Sequence, residues 1–82
     1  MANIEHFVDR YIPIRMNKMI QEFLKQTLPE RQMPKLDKFH IEHTKSLNAY
    51  LLHDEVKKDL KDMCRQTLNE LEALIAYNKR LA

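Results

Sequence analysis

The chain contains no glycine in 82 residues, and that absence removes more folds than any residue it contains. Glycine reaches positive φ at little cost and other L-residues reach it only with strain. Tight hairpin turns and glycine-rich phosphate loops therefore lack their usual residue. Walker-type and dinucleotide-binding fingerprints are excluded by inspection. What the chain has instead is Leu, Lys, Glu, Gln and Met in quantity, all good helix formers, with Pro13, Pro29 and Pro34 as the only strong breakers. The expectation is an all-α fold, a small bundle of about four helices in a single domain spanning 1–82.

Apolar periodicity places the helices. Ile4, Phe7, Val8 and Tyr11 fall at helical spacing behind Asn3, an acceptable N-cap, and predict a helix over 4–11. Pro13 lacks a backbone donor and pushes Ile12 away from helical φ and ψ, so a break is expected there. Phase agrees, because continuing the first stripe would bury Arg15, Lys18 and Glu22, whereas the apolar set that follows is Met16, Met19, Ile20, Phe23 and Leu24. A second helix is expected over 13–28 with Pro13 as its first residue. The segment 29–36, PERQMPKL, reads as a connector pinned to the core by Met33 and Leu36.

Asp37 is then expected to cap a third helix over 37–52, whose inner stripe is Phe39, His43, Leu47 and Tyr50. Extending that stripe would bury Asp54 and Lys61, while the apolar residues shift to Val56, Leu60, Met63, Cys64, Leu71, Leu74 and Ile75. A break near His53 and Asp54 follows, with a fourth helix over 54–80. Asp54 and Glu55 suit its start, and Lys79 and Arg80 its end. Its apolar arc, roughly 140° wide, exceeds a two-stranded seam, so this helix is expected to pack against two neighbours at once.

A domain this short buries only about 60 to 65 per cent of the surface its unfolded chain exposes. Its thin core is expected to be completed by self-association as a homo-oligomer, with a homodimer the simplest case. Cys64 is the single cysteine, so no disulfide forms within one chain. The N-terminal MANIEHFVDR lacks a basic-then-apolar leader, and charges interrupt every apolar run. A cytoplasmic protein with no membrane partner is expected, with Cys64 acting as a small hydrophobe in a reducing compartment.

Few residues suggest chemistry. His40 and His43 in HIEH, with Asp37 one turn earlier, have the only metal-like spacing, but two histidines do not make a site and HExxH is absent. No metal and no cofactor are expected. Cys64 with His43 or His53 has no nucleophile signature, and surface carboxylates such as Asp59 and Asp62 have little reason to carry a shifted pKa. The chain is read as not an enzyme.

Binding is better supported. Arg15, Lys18 and Lys25 share one stripe opposite Met16, Met19, Ile20 and Phe23, although Glu22 lies on the same stripe and dilutes its field by pairing with either lysine. Tyr11, Ile14, Tyr50 and Tyr77 are expected at exposed edges. The net charge of +2, from 14 basic and 12 acidic residues, decides nothing about nucleic acid, which reads a concentrated patch. The first functional reading is a small interaction module, an adaptor, inhibitor or regulator of another protein, with Arg15, Lys18 and Lys25 as contact residues. The alternative is a dimeric nucleic-acid-binding accessory protein using the same stripe.

Overall fold

The ends of the helices reveal how a chain without glycine turns its corners. The structure, a computed structural model, describes residues 10–26 and 31–81. Within them lie three helices, α1 (Tyr11–Lys25), α2 (Met33–Leu52) and α3 (Lys58–Leu81), and no strand. No described residue takes a positive φ. Both interhelical exits leave through extended backbone instead, at Gln26 (φ −72°, ψ 144°) and at His53 (φ −87°, ψ 125°).

Proline acts here as a starter. Pro13 sits in the first turn of α1 and Pro34 in the first turn of α2, where a missing N–H is one the helix would have left unpaired. The first intrahelical bonds follow directly, from Ile14 N–H to Arg10 O (3.2 Å) and from Leu36 N–H to Gln32 O (2.8 Å). This corrects three expected boundaries. The helix expected from Pro13 begins at Tyr11 and ends at Lys25, short of Leu28, whose surroundings in 27–30 lie outside the described residues. The helix expected from Asp37 begins at Met33, so Met33 and Leu36 are helical and Asp37 caps nothing.

The third correction concerns Asp54 and Glu55, which lie in a turn before α3 starts at Lys58. Two bonds to His53 shape that turn, one from Glu55 N–H to the ring Nδ1 (3.1 Å) and one from Val56 N–H to the backbone oxygen (3.2 Å). Local side-chain pairing of this kind competes with helix and delays its start. Of the helix expected over 4–11, only Arg10 and Tyr11 are described, Arg10 as the N-cap of α1 and Tyr11 as its first residue; the rest lies outside the described residues. The expected count of four is thus three among the described residues.

Three polar pairs fix the topology. Arg10 meets Asp59, Asn17 meets Thr67 and Gln21 meets Glu70, a nearly constant offset that only parallel helices in register produce. α1 and α3 run parallel and α2 runs antiparallel to both, in an up-down-up bundle measuring 44 × 19 × 16 Å. α3 packs against both other helices, as its wide apolar arc predicts, while α1 and α2 meet each other less closely.

The buried stripe of α3 is Leu60, Cys64, Thr67, Leu71, Leu74 and Asn78, a strict alternation of four- and three-residue steps. Against it pack Met16 and Ile20 of α1 and Leu36, Phe39, Leu47 and Tyr50 of α2. Each fully buried aliphatic side chain contributes about 1.5 to 3 kcal/mol. Two residues of the expected α1 stripe are not core: Met19 is 37 % exposed and Leu24 48 %. Tyr50, expected at an edge, is fully buried, whereas Tyr11 and Tyr77 are exposed as expected.

Three buried polar residues complete the interior, and each has a partner. Thr67 Oγ1 donates to Met63 O (2.8 Å) and accepts from Asn17 Nδ2 (2.9 Å). Gln32 Nε2 donates to Phe23 O (2.7 Å), and Asn78 Nδ2 donates to Gln32 Oε1 (3.1 Å) and to Leu74 O (2.9 Å). Gln32 thereby satisfies the carboxyl end of α1 from the start of α2, the service a glycine cap performs elsewhere.

Candidate functional site

Because α1 and α2 both lean on α3 and meet each other loosely, a furrow opens between them. Two adjoining hollows of about 350 Å³ and 260 Å³ run along it, sharing Met19, Glu42 and His43. The floor is apolar, from Ile12 and Met16 at one end to Phe23 and Phe39 at the other. The His43 and Phe39 rings meet in an edge-to-face arrangement, with centroids 4.6 Å apart at 63°, and His43 lines both hollows. Tyr11 stands at the open end, 65 % exposed.

The rim is charged. Arg15 lines the furrow from α1, and Lys35, Lys38 and Glu42 line it from α2. Lys18 and Lys25 continue the α1 stripe on its solvent side, exposed as the sequence implies. Glu22 lies 3.8 Å from Lys25, settling which lysine it favours. Glu42 is shared between Lys38 (3.9 Å) and His43 (3.7 Å). Exposed pairs at such distances contribute between about 0 and 1 kcal/mol each and are easily exchanged for another partner.

Lys35, Lys38, Glu42 and Lys45 are not among the contact residues that the basic stripe of α1 points to. They repeat the pattern Arg15, Lys18, Glu22, Lys25 at the same spacing, 20 residues further along the chain. Comparing the basic stripe with the rest of the sequence at that offset would have found them. The two antiparallel helices thus present matching ridges, six cations and two carboxylates in all, on either side of an apolar floor. Arg15, Lys18, Lys35 and Lys45 make no ion pair among the described residues.

The remaining chemistry-bearing residues do not converge. His40 is exposed while His43 turns inward, and among the described residues no group of three or more His, Cys, Asp or Glu is placed to hold a metal. Cys64 is buried in the core, where desolvation pushes its thiol up to about 11. A nucleophilic cysteine needs the opposite shift. Asp59, expected to be unperturbed, is not: its hydrogen bond to the Arg10 guanidinium (2.6 and 3.3 Å), helped by the charge of that group, holds its carboxyl below the ordinary value. That pair ties the start of α1 to α3 at the surface, beside a small hollow lined by Arg10, Glu55, Lys57 and Leu60. Asp62 is held by Lys58 and Arg65 on its own helix.

A further hollow of about 440 Å³ lies between α1 and α3, walled by Leu24, Gln32, Leu74 and Tyr77, with Gln26 at its rim. Among the described residues, no helix is long and apolar enough to cross a membrane. Comparison of the chain with protein-family models, with curated proteins and with solved structures gave no match.

Proposed function

We propose that the chain is a small non-catalytic interaction module that acts by seating part of another protein in the furrow between α1 and α2. The observation that carries this reading is the apolar floor left open by two helices that share one central neighbour. Met19 lies on that floor more than a third exposed although it belongs to the apolar stripe of α1. An exposed apolar strip rimmed by polar residues is the usual signature of a contact surface, and methionine with aromatic neighbours supplies an adaptable one. The reading places the protein in the reducing cytoplasm, where a lone buried thiol stays reduced.

Self-association through this furrow is disfavoured. An isologous dimer sets a face against its own copy, so the basic ridges would oppose each other. The homodimer inferred from the thin core is accordingly proposed for a different face, that of Ile41 (79 % exposed) and Leu52 (83 %) on the outer side of α2. Arg15 belongs to the proposed contact directly, as a rim residue. Lys18 and Lys25 act by their field, since they stand one step further out.

The test is a photo-crosslinking amino acid placed at Met19 and, as a control, at the exposed Asn69 on the far side of α3, expressed in the native host. Protein adducts formed from position 19 and not from 69 are expected. Adducts to nucleic acid, or equal yields from both positions, would reject the reading.

A further inference from the structure

We propose that the segment received by the furrow is an acidic amphipathic helix of about three turns, a deeper statement of the interaction reading and one that rests on it. Length comes first. The lining residues of α1 run from Tyr11 to Phe23, which at 1.5 Å per residue is about 18 Å, or roughly 12 helical residues of partner. A helix laid in a groove of that length offers apolar anchors at i, i+3 or i+4, and i+7. Met19 and the half-buried Phe23 are the surfaces such anchors would cover, with the buried Phe39 beneath them.

Charge then selects the flanks. A helix seated between two ridges presents its two sides to Arg15 on one ridge and to Lys35 and Lys38 on the other. Carboxylates on both sides of the apolar stripe complement that arrangement, and basic side chains there would meet like charge. Complementarity of this kind sets partner choice and association rate more than it sets final affinity. The cations are free to respond, because Arg15 and Lys35 hold no ion pair among the described residues and the pair of Lys38 with Glu42 is long and exposed.

Nucleic acid fits the same surface less well. A phosphate backbone repeats negative charge without interruption, yet each ridge carries a glutamate between its cations, and the space between ridges is apolar with an inward-turned histidine. A partner helix tolerates that punctuation, since one lysine in its flank answers Glu42.

Binding of three labelled probes, followed by fluorescence anisotropy at two salt concentrations, tests the proposal. The first is a capped 14-residue helical peptide with leucine anchors at i, i+3, i+4 and i+7 and glutamate flanks. The second is the same peptide with lysine flanks, and the third is a random oligonucleotide in single- and double-stranded form. The glutamate peptide should bind at least tenfold more tightly than the lysine peptide and weaken as salt rises. The double reversal Arg15→Glu with Lys35→Glu should invert that preference. An inverted preference is a gain that a misfolded protein cannot produce, so the test does not depend on loss of signal alone.

Equal binding of the two peptides, displaced by Met19→Glu, would overturn the acidic assignment and leave the interaction module standing. Tighter binding of the oligonucleotide than of either peptide would overturn both. No binding of any probe, together with failed crosslinking from position 19, would also overturn both.

Discussion

The buried link between Gln32 and Asn78 permits a prediction with a definite sign and size. Both residues are 2 % exposed, one at the start of α2 and the other near the end of α3. Replacing Gln32 with Ala removes a 2.7 Å bond to Phe23 O, a 3.3 Å bond to Gln26 Oε1 and the bond accepted from Asn78. At about 1 kcal/mol for each well-made bond, with a small addition for the space vacated, the expected loss is about 3 kcal/mol. Phe23 O keeps one partner, the Gln26 N–H at 3.2 Å, which limits the damage.

Asn78→Ala behaves differently. It breaks two bonds and strands Gln32 Oε1 in the interior, but it also deletes Asn78 Oδ1, a buried acceptor with no partner. An unsatisfied buried polar atom costs about 1 to 3 kcal/mol, so the two effects partly cancel and the net loss is about 2 kcal/mol. The double variant should then be less damaging than the sum of the single losses by about 1 kcal/mol, the signature of residues that act through each other. Urea unfolding followed by circular dichroism at 222 nm measures all three values. Additivity within roughly 0.3 kcal/mol, or a cost for Gln32→Ala below about 0.5 kcal/mol, would refute the claim that this amide substitutes for a glycine cap.

Two further outcomes follow from the ionisable groups. The Cys64 thiol should react with Ellman's reagent only as the protein unfolds, and because its folded pKa is raised from 9.0 to about 11, stability should fall as pH rises through that window. The slope is about 1.4 kcal/mol per unit; a Cys64→Ala variant with an unchanged alkaline limb would contradict it. Asp59 works at the other end, since its carboxyl is held below the ordinary 3.8 by Arg10. Its contribution is present above that value and lost as pH falls through the depressed one. Between pH 6 and pH 3 the wild-type urea midpoint should drop more than that of Arg10→Gln, and equal drops would show the pair contributes nothing.

How far the sequence could be read depended on which physical signal each element carried. α3 was legible because its apolar residues recur strictly, and even its two neighbours could be inferred from the width of the arc. The inner stripe of α2 was legible for the same reason. Boundaries failed where local chemistry and helix geometry compete. Pro13 by its chemistry suggests a break, yet a proline within the first turn interrupts no bond. Asp37 resembles a cap, but the helix already starts four residues earlier at Met33, with Pro34 in its first turn. Asp54 resembled another, and His53 had taken that stretch for a turn.

The contact surface was half legible. The α1 stripe is visible in the sequence, but its significance depends on α2 lying antiparallel beside it, which is a tertiary fact. Gln32 and Asn78 were invisible for a related reason: a polar residue in a polar-looking connector, or on the polar side of an average, carries no periodic signal that marks it as buried. Only the partner across the bundle makes the burial tolerable, and that partner lies 46 residues away.

Stability and recognition are thus carried by different parts of the same three helices. α3 supplies the stripe on which both neighbours rest, so α1 and α2 need little from each other, and the furrow between them is the geometric consequence. What keeps the furrow from splaying is the clamp at its closed end, where Gln32 joins α1 to the start of α2 and, through Asn78, to α3. Severing that clamp should change peptide binding and stability together. Changing Arg15 on the rim should alter binding and salt dependence while leaving the urea midpoint nearly fixed, because exposed charges contribute little to folding. A variant pair that separates in this way would show that the bundle holds its shape from below and recognises from above. If instead Gln32→Ala destabilised the fold without touching affinity, the furrow would have to be rigid in its own right, and the loose contact of α1 with α2 gives no physical reason for that.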